Sequence, residues 1–303
     1  MNQSDHKKNF SYMGLCLFIL MLTVNIVQVI LSVIVTVFAP ESATSSWFLL
    51  INIFISMHVI GLAVYFLLMR PKEPQPAREK KSISPLRFAK IFIICMGATY
   101  LFNFVSLGIN ALIGLLKHSP VTNPLESVVA GGNLILQILI IAVSAPIVEE
   151  LVFRKLLLDR LRPYGDRVAI WVSALAFALF HGNLSQALYA FVLGLIFAYV
   201  VIRTNNILYS MALHVLINLF GSAIMPLLAM SGNLALTMAA GLLVWVFLIA
   251  GIIFFIMELK HIELREGEIT LSRSERFKTC YLNVGMILYF IICLALFVVA
   301  IFI

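Results

Sequence analysis

The chain has 303 residues, of which 62% are hydrophobic and 12% charged, with a formal net charge of +7. A soluble domain is about half apolar and a quarter charged, so this composition excludes an ordinary soluble fold and points to a membrane protein. The positive charge is no nucleic-acid footprint, because the basic residues fall in the gaps between apolar runs, where they act as orientation signals.

A helix needs about 20 apolar residues to cross the hydrocarbon core. In chain order, runs of that kind occupy 10–39, 47–69, 88–116, 134–158, 187–202, 207–228, 234–257 and 281–303, and 168–180 is a shorter one. The expected fold is all-α, a polytopic transmembrane bundle of about eight or nine spans. Long continuous runs without short alternating strands exclude a barrel. The apolar stretch after Lys7 and Lys8 exceeds the usual signal-peptide core, so it reads as an uncleaved anchor. Cys16, Cys95, Cys280 and Cys293 form no CxxC and read as small buried residues.

Three charged connections punctuate the spans. The first, 70–90, holds Pro71, Pro74, Pro76 and Pro85 together with Arg70, Lys72, Arg78, Lys80, Lys81, Arg87 and Lys90. The others are 154–167 and 258–278, whereas 40–46 and 117–127 are nearly free of Lys and Arg. The positive-inside rule places the N-terminus and the three charged loops in the cytoplasm, and nine crossings put the C-terminus outside. The expected location is the cell membrane, multi-pass, with a leaning to a bacterial plasma membrane. Three segments are expected: N-terminal spans over 1–127, a catalytic helical core over 128–230, and C-terminal spans over 231–303.

Ionisable residues inside such spans are costly and mark function by default. Three clusters stand out: Pro146-Ile-Val-Glu149-Glu150-Leu-Val-Phe-Arg154, Phe177-Ala-Leu-Phe-His181 and His214-Val-Leu-Ile-Asn218. Four-residue spacing lets Glu150 pair with Arg154 and puts His214 and Asn218 on one helical side. Glu149 and Glu150 are about 100° apart around the axis, so they should face different neighbours. Carboxyls in divergent environments separate a charge-holding role from a base role. At about 1.5 Å per residue, His214 lies roughly 10 Å from Ile207, His181 roughly 20 Å from Val168, and Glu149 roughly 16 Å from Arg160. These depths overlap if the helix after Arg167 begins outside the hydrocarbon core. Each cluster alone has a plain structural explanation, such as an ion pair, a loop histidine or interhelical hydrogen bonding. His58 has no motif partner and reads as a packed histidine.

Glu-Glu-x-x-x-Arg, Phe-x-x-x-His and His-x-x-x-Asn, in this order on successive membrane helices, resemble the CPBP family of CAAX prenyl proteases and bacteriocin-processing enzymes, also called Abi. The resemblance covers residues 134–228. It implies an intramembrane endopeptidase acting on a membrane-associated peptide or protein. In this reading Glu149 activates the attacking water with His181 alongside, His214 and Asn218 stabilise the oxyanion, and Glu150 and Arg154 order the site. The chemistry agrees, since water needs a base in reach and the intermediate needs donors in a dry site. No cofactor is favoured. If zinc is bound, its ligands would be Glu149, His181 and His214, although His-Glu-x-x-His is absent. Two other classes compete: a non-catalytic immunity or scaffold protein of the same family, and a secondary transporter, whose inverted repeats are not visible.

Overall fold

The computed structural model describes residues 3–70, 78–123, 128 and 133–302. Pro71, Lys72, Pro74 and Pro76 of the first charged connection, and residues 124–127 at the end of the N-terminal segment, lie outside them. Among the described residues the fold is all helical, without a strand. The main helices are α1 (Gln3–Phe38), α2 (Ser46–Met69), α3 (Pro85–Lys117), α4 (Leu134–Tyr164) and α5 (Asp166–Phe180). They are followed by α6 (Leu184–Thr204), α7 (Ile207–Ala229), α8 (Leu234–Glu258), α9 (Arg273–Tyr281) and α10 (Val284–Phe302).

Eight of the helices are long and apolar enough to cross a membrane, and α5 and α9 are not among them. The chain is a multi-pass membrane bundle. With 15 residues, α5 rises about 22 Å, short of a hydrocarbon core of about 30 Å. It therefore ends inside the bundle. Gly182, with φ +63°, supplies the left-handed residue that closes α5, and Asn183 caps α6 by accepting from Gln186 N at 3.0 Å. The chain thus reverses within three residues, below the level that a full span would reach.

Charged connections hold one end of the bundle together. Arg160 donates to Met69 O at 3.2 Å, Arg162 to Asn205 Oδ1 at 2.9 Å, and Arg203 to Asp166 Oδ2 at 3.1 Å. Lys81 N donates to Thr204 O at 2.8 Å, and His6 meets the Tyr164 hydroxyl at 3.2 Å. At the opposite end Lys117 donates to Ile301 O. Inside, one core joins α1, α2, α4, α5, α6 and α10 around Phe10, Tyr65, Phe153, Phe177 and Tyr289.

Helix pairs α5–α6, α3–α8, α1–α10, α4–α7 and α3–α6 all pack extensively. Without a hydrophobic drive between helices in lipid, small residues set how closely they approach. A Cβ on Gly251 of α8 would stand 2.8 Å from Gly97 Cα of α3, so this crossing requires glycine on both sides.

Two helices widen where proline removes a backbone donor. Pro146 has no N–H, and before it Ile138–Ser144 forms π-helical turns in which Ala145 N reaches back five residues to Ile140 O. Pro226 follows Phe220–Ile224 in the same manner, with Met225 N bonded to Phe220 O. Leu151–Leu157 and Phe54–Gly61 are π-helical without an adjacent proline.

Candidate active site

Glu149 and Glu150 close the short α-helical stretch Ala145–Glu150, held between two π-helical stretches of α4. Such widenings recur at functional sites because they re-aim side chains that a regular helix would place elsewhere. Helix α7 packs across this stretch and brings His214 onto both carboxylates. His214 Nδ1 donates to Glu150 Oε1 at 3.1 Å, and its Nε2 lies 3.6 Å from Glu149 Oε2. The two glutamates are expected to meet different neighbours, but they bracket one imidazole. An imidazole carries nitrogens on two edges, so side chains about 100° apart on α4 can each meet one.

Glu150 is fully buried and also faces Arg154, with Nε 3.5 Å from Oε2. The expected i,i+4 pair therefore forms, and it forms inside the core instead of at a helix end. Arg154 is 1% exposed, and its guanidinium carbon sits 4.2 Å from the centre of the Phe177 ring, with Phe197 at 5.6 Å. Its Nη atoms have no hydrogen-bond acceptor among the described residues. Glu150 and the aromatic faces thus supply its charge compensation.

His181 caps the C-terminal end of α5. Its Nδ1–H donates to Phe177 O at 2.9 Å, because the carbonyl can only accept. That bond leaves Nε2 as the free ring atom and fixes the ring edge-on to Phe177, with centroids 4.9 Å apart. Asn183 Nδ2 donates to His181 O at 2.8 Å, which holds the turn. The Phe177 ring also lies edge-on to His214, with centroids 5.7 Å apart, and carries the Arg154 guanidinium, so the three motifs meet around one aromatic ring.

Asn218 lies one turn beyond His214 on α7. Its Nδ2 donates to Ile141 O at 3.1 Å, within the widened part of α4. One amide hydrogen therefore ties α7 to α4, and the other is outside that bond. Ser210, one turn before His214 and fully buried, lies against Glu150 while its hydroxyl donates to Ile207 O at 2.9 Å. Its four-residue spacing from His214 was a readable signal that it shares the same face. Tyr189 of α6 hydrogen-bonds Gln186 and senses the Glu149 charge, and nothing in its spacing from the motifs announces that. His58 is held by Ser144, whose Oγ is 2.9 Å from Nδ1, so it braces α2 against the stretch that carries the glutamates.

Zinc ligation by Glu149, His181 and His214 calls for three donors converging on one point. Among the described residues, no group of three or more His, Cys, Asp or Glu side chains is disposed to hold a metal ion. The donor set as arranged does not fit the metal, and no step is routed through one.

Residues 131–220 match a protein family described as Type II CAAX prenyl endopeptidase Rce1-like. The motif-bearing core is therefore similar to that family. The matched stretch is less than half of the chain and includes all three motifs, in agreement with their resemblance to the CPBP family. No curated protein and no solved structure matches the chain. This similarity supports a peptidase, set inside a multi-pass membrane bundle.

Proposed function

We propose that the chain is an intramembrane endopeptidase that hydrolyses a peptide bond in a membrane-associated protein or peptide, with Glu149 as the base that activates water. The observation that carries this reading is the bracketing of His214 by Glu149 and Glu150, with His181 and His214 against the same Phe177 ring. Glu149 is the less enclosed of the two carboxylates, its side chain 16% exposed against 0% for Glu150. A water bound to Glu149 gives up a proton to it and attacks the scissile carbonyl carbon. His181 Nε2 accepts a hydrogen bond from the same water and holds it in line.

The attack places negative charge on the carbonyl oxygen. His214 Nε2–H and the second amide hydrogen of Asn218 stabilise that oxyanion in a site that excludes bulk water. With Nδ1 donating to Glu150, Nε2 carries a hydrogen only in the imidazolium form. That cation is flanked by two carboxylates. Glu149 then passes its proton to the leaving amine, and the C–N bond breaks. Glu150 and Arg154 fix the imidazole ring from the dry side and do not touch the substrate.

Membranes of cells producing the chain, compared with membranes carrying Glu149→Gln, test this by terminal proteomics. A new peptide terminus near a membrane anchor, lost in the variant, is the expected result. Identical termini in both would sink the assignment. Loss of protection or signalling only when the whole chain is removed, and not in Glu149→Gln, would favour a non-catalytic role.

A further inference from the structure

A cavity of about 610 Å³ lies at the charged end of the bundle, between α3, α5, α6, α8 and the connection after α8. Neither Glu149, Glu150, His181 nor His214 lines it. Its walls divide by chemistry. Lys81, Arg87, Lys90, Arg167 and Arg203 line one part, against only Glu258 and Glu263 among carboxylates. Ile91, Ile94, Ile170, Trp171, Leu195 and Ile196 line the other.

The charges are only partly matched. Lys90 pairs with Glu258 at 3.3 Å, and Arg203 pairs with Asp166 at 3.1 Å while its Nε meets no partner. The side chains of Lys81, Arg87 and Arg167 have no carboxylate within salt-bridge distance among the described residues. Tyr199, whose hydroxyl donates to His261 O at 3.5 Å, stands under the Arg203 guanidinium, 5.3 Å from ring centre to carbon. Trp171 is half exposed beside the apolar wall. Amphipathic Trp and Tyr rings settle at headgroup level.

We propose that this cavity binds one anionic phospholipid, its phosphate against Arg87, Arg167 and Lys81 and its acyl chains along Ile91, Ile94 and Trp171. Uncompensated guanidinium groups bind phosphate through two parallel N–H bonds, and an apolar wall that ends at the half-exposed Trp171 suits acyl chains, not water. A zwitterionic lipid would bring its own cation among five basic side chains, which disfavours it. Basic pockets between membrane helices commonly hold such headgroups.

Native mass spectrometry of the full chain, purified in detergent and titrated with phosphatidylglycerol or phosphatidylcholine, tests the proposal. One phosphatidylglycerol should be retained in preference to phosphatidylcholine. Arg87→Gln with Arg167→Gln should reduce that preference about thirty-fold, two basic contacts each giving several-fold. Both residues are exposed, and an unchanged unfolding midpoint checks that the variant is folded. Glu149→Gln should retain the lipid as the parent does, so this result stands apart from the peptidase reading. Equal retention of the two lipids, or an undiminished preference in the double variant, overturns the proposal. Displacement of the lipid by millimolar inorganic phosphate overturns it in favour of a soluble phosphate ligand.

Discussion

His214 donates through Nδ1 to Glu150 at 3.1 Å, and this single bond decides what the rest of the imidazole can do. It fixes the ring plane, commits one edge to a fully buried carboxylate and turns Nε2 toward Glu149 at 3.6 Å. Glu150 is in turn anchored by Arg154 at 3.5 Å. The order of support therefore runs from the core outward, Arg154 to Glu150 to His214, with Glu149 at the more open end.

The Arg154–Glu150 pair should behave as a buried unit. Arg154→Ala leaves the buried Glu150 carboxylate with His214 alone and should lower stability by about 3 kcal/mol, because one buried charge loses a partner. Glu150→Gln combined with Arg154→Met should cost clearly less than the sum of the single changes. Denaturation of the four proteins in one detergent measures the cycle, and additive costs would contradict the pairing.

Gly182 should tolerate substitution poorly for two reasons that act together. Its φ of +63° is a left-handed conformation, and an added Cβ would lie 3.2 Å from Leu296 Cβ. Gly182→Val should cost at least about 1–2 kcal/mol and slow cleavage by displacing His181. Gly182→Asn should be milder, since Asn visits this conformation more readily. Unfolding midpoints with cleavage rates check the order, and equal behaviour of the two variants would contradict it.

Cleavage should persist after chelation, since the steps proposed use only side chains of the chain. Purified protein treated with a strong zinc chelator and assayed for cleavage and bound metal provides the check. Stoichiometric zinc whose removal abolishes cleavage would replace the glutamate mechanism with a metal-bound water.

Much of the site was legible because its signals are local. Four-residue spacings carry the Glu150–Arg154 pair and the shared side of His214 and Asn218, and both hold in the structure. The spans follow from apolar length, which leaves the count at eight or nine; the structure has eight helices long enough to cross among the described residues, and the short run at 168–180 is not one of them. What escaped needed tertiary information. That both glutamates, about 100° apart on α4, meet one ring depends on where α7 sets His214, which no spacing along α4 can show. His58 has no motif partner in sequence and finds Ser144 only across two helices. The cavity at the charged end gathers Arg87, Arg167 and Arg203 from three separate elements, and their charges read singly as orientation signals.

The central claim is that Glu149, and not Glu150, is the base. Once a substrate is in hand, its cleavage by purified, lipid-reconstituted protein and by Glu149→Gln, with unfolding midpoints for both, tests that claim most directly. Cleavage should fall at least about a hundredfold in Glu149→Gln while the midpoint stays unchanged. Cleavage at the parent rate by a folded Glu149→Gln would contradict the mechanism.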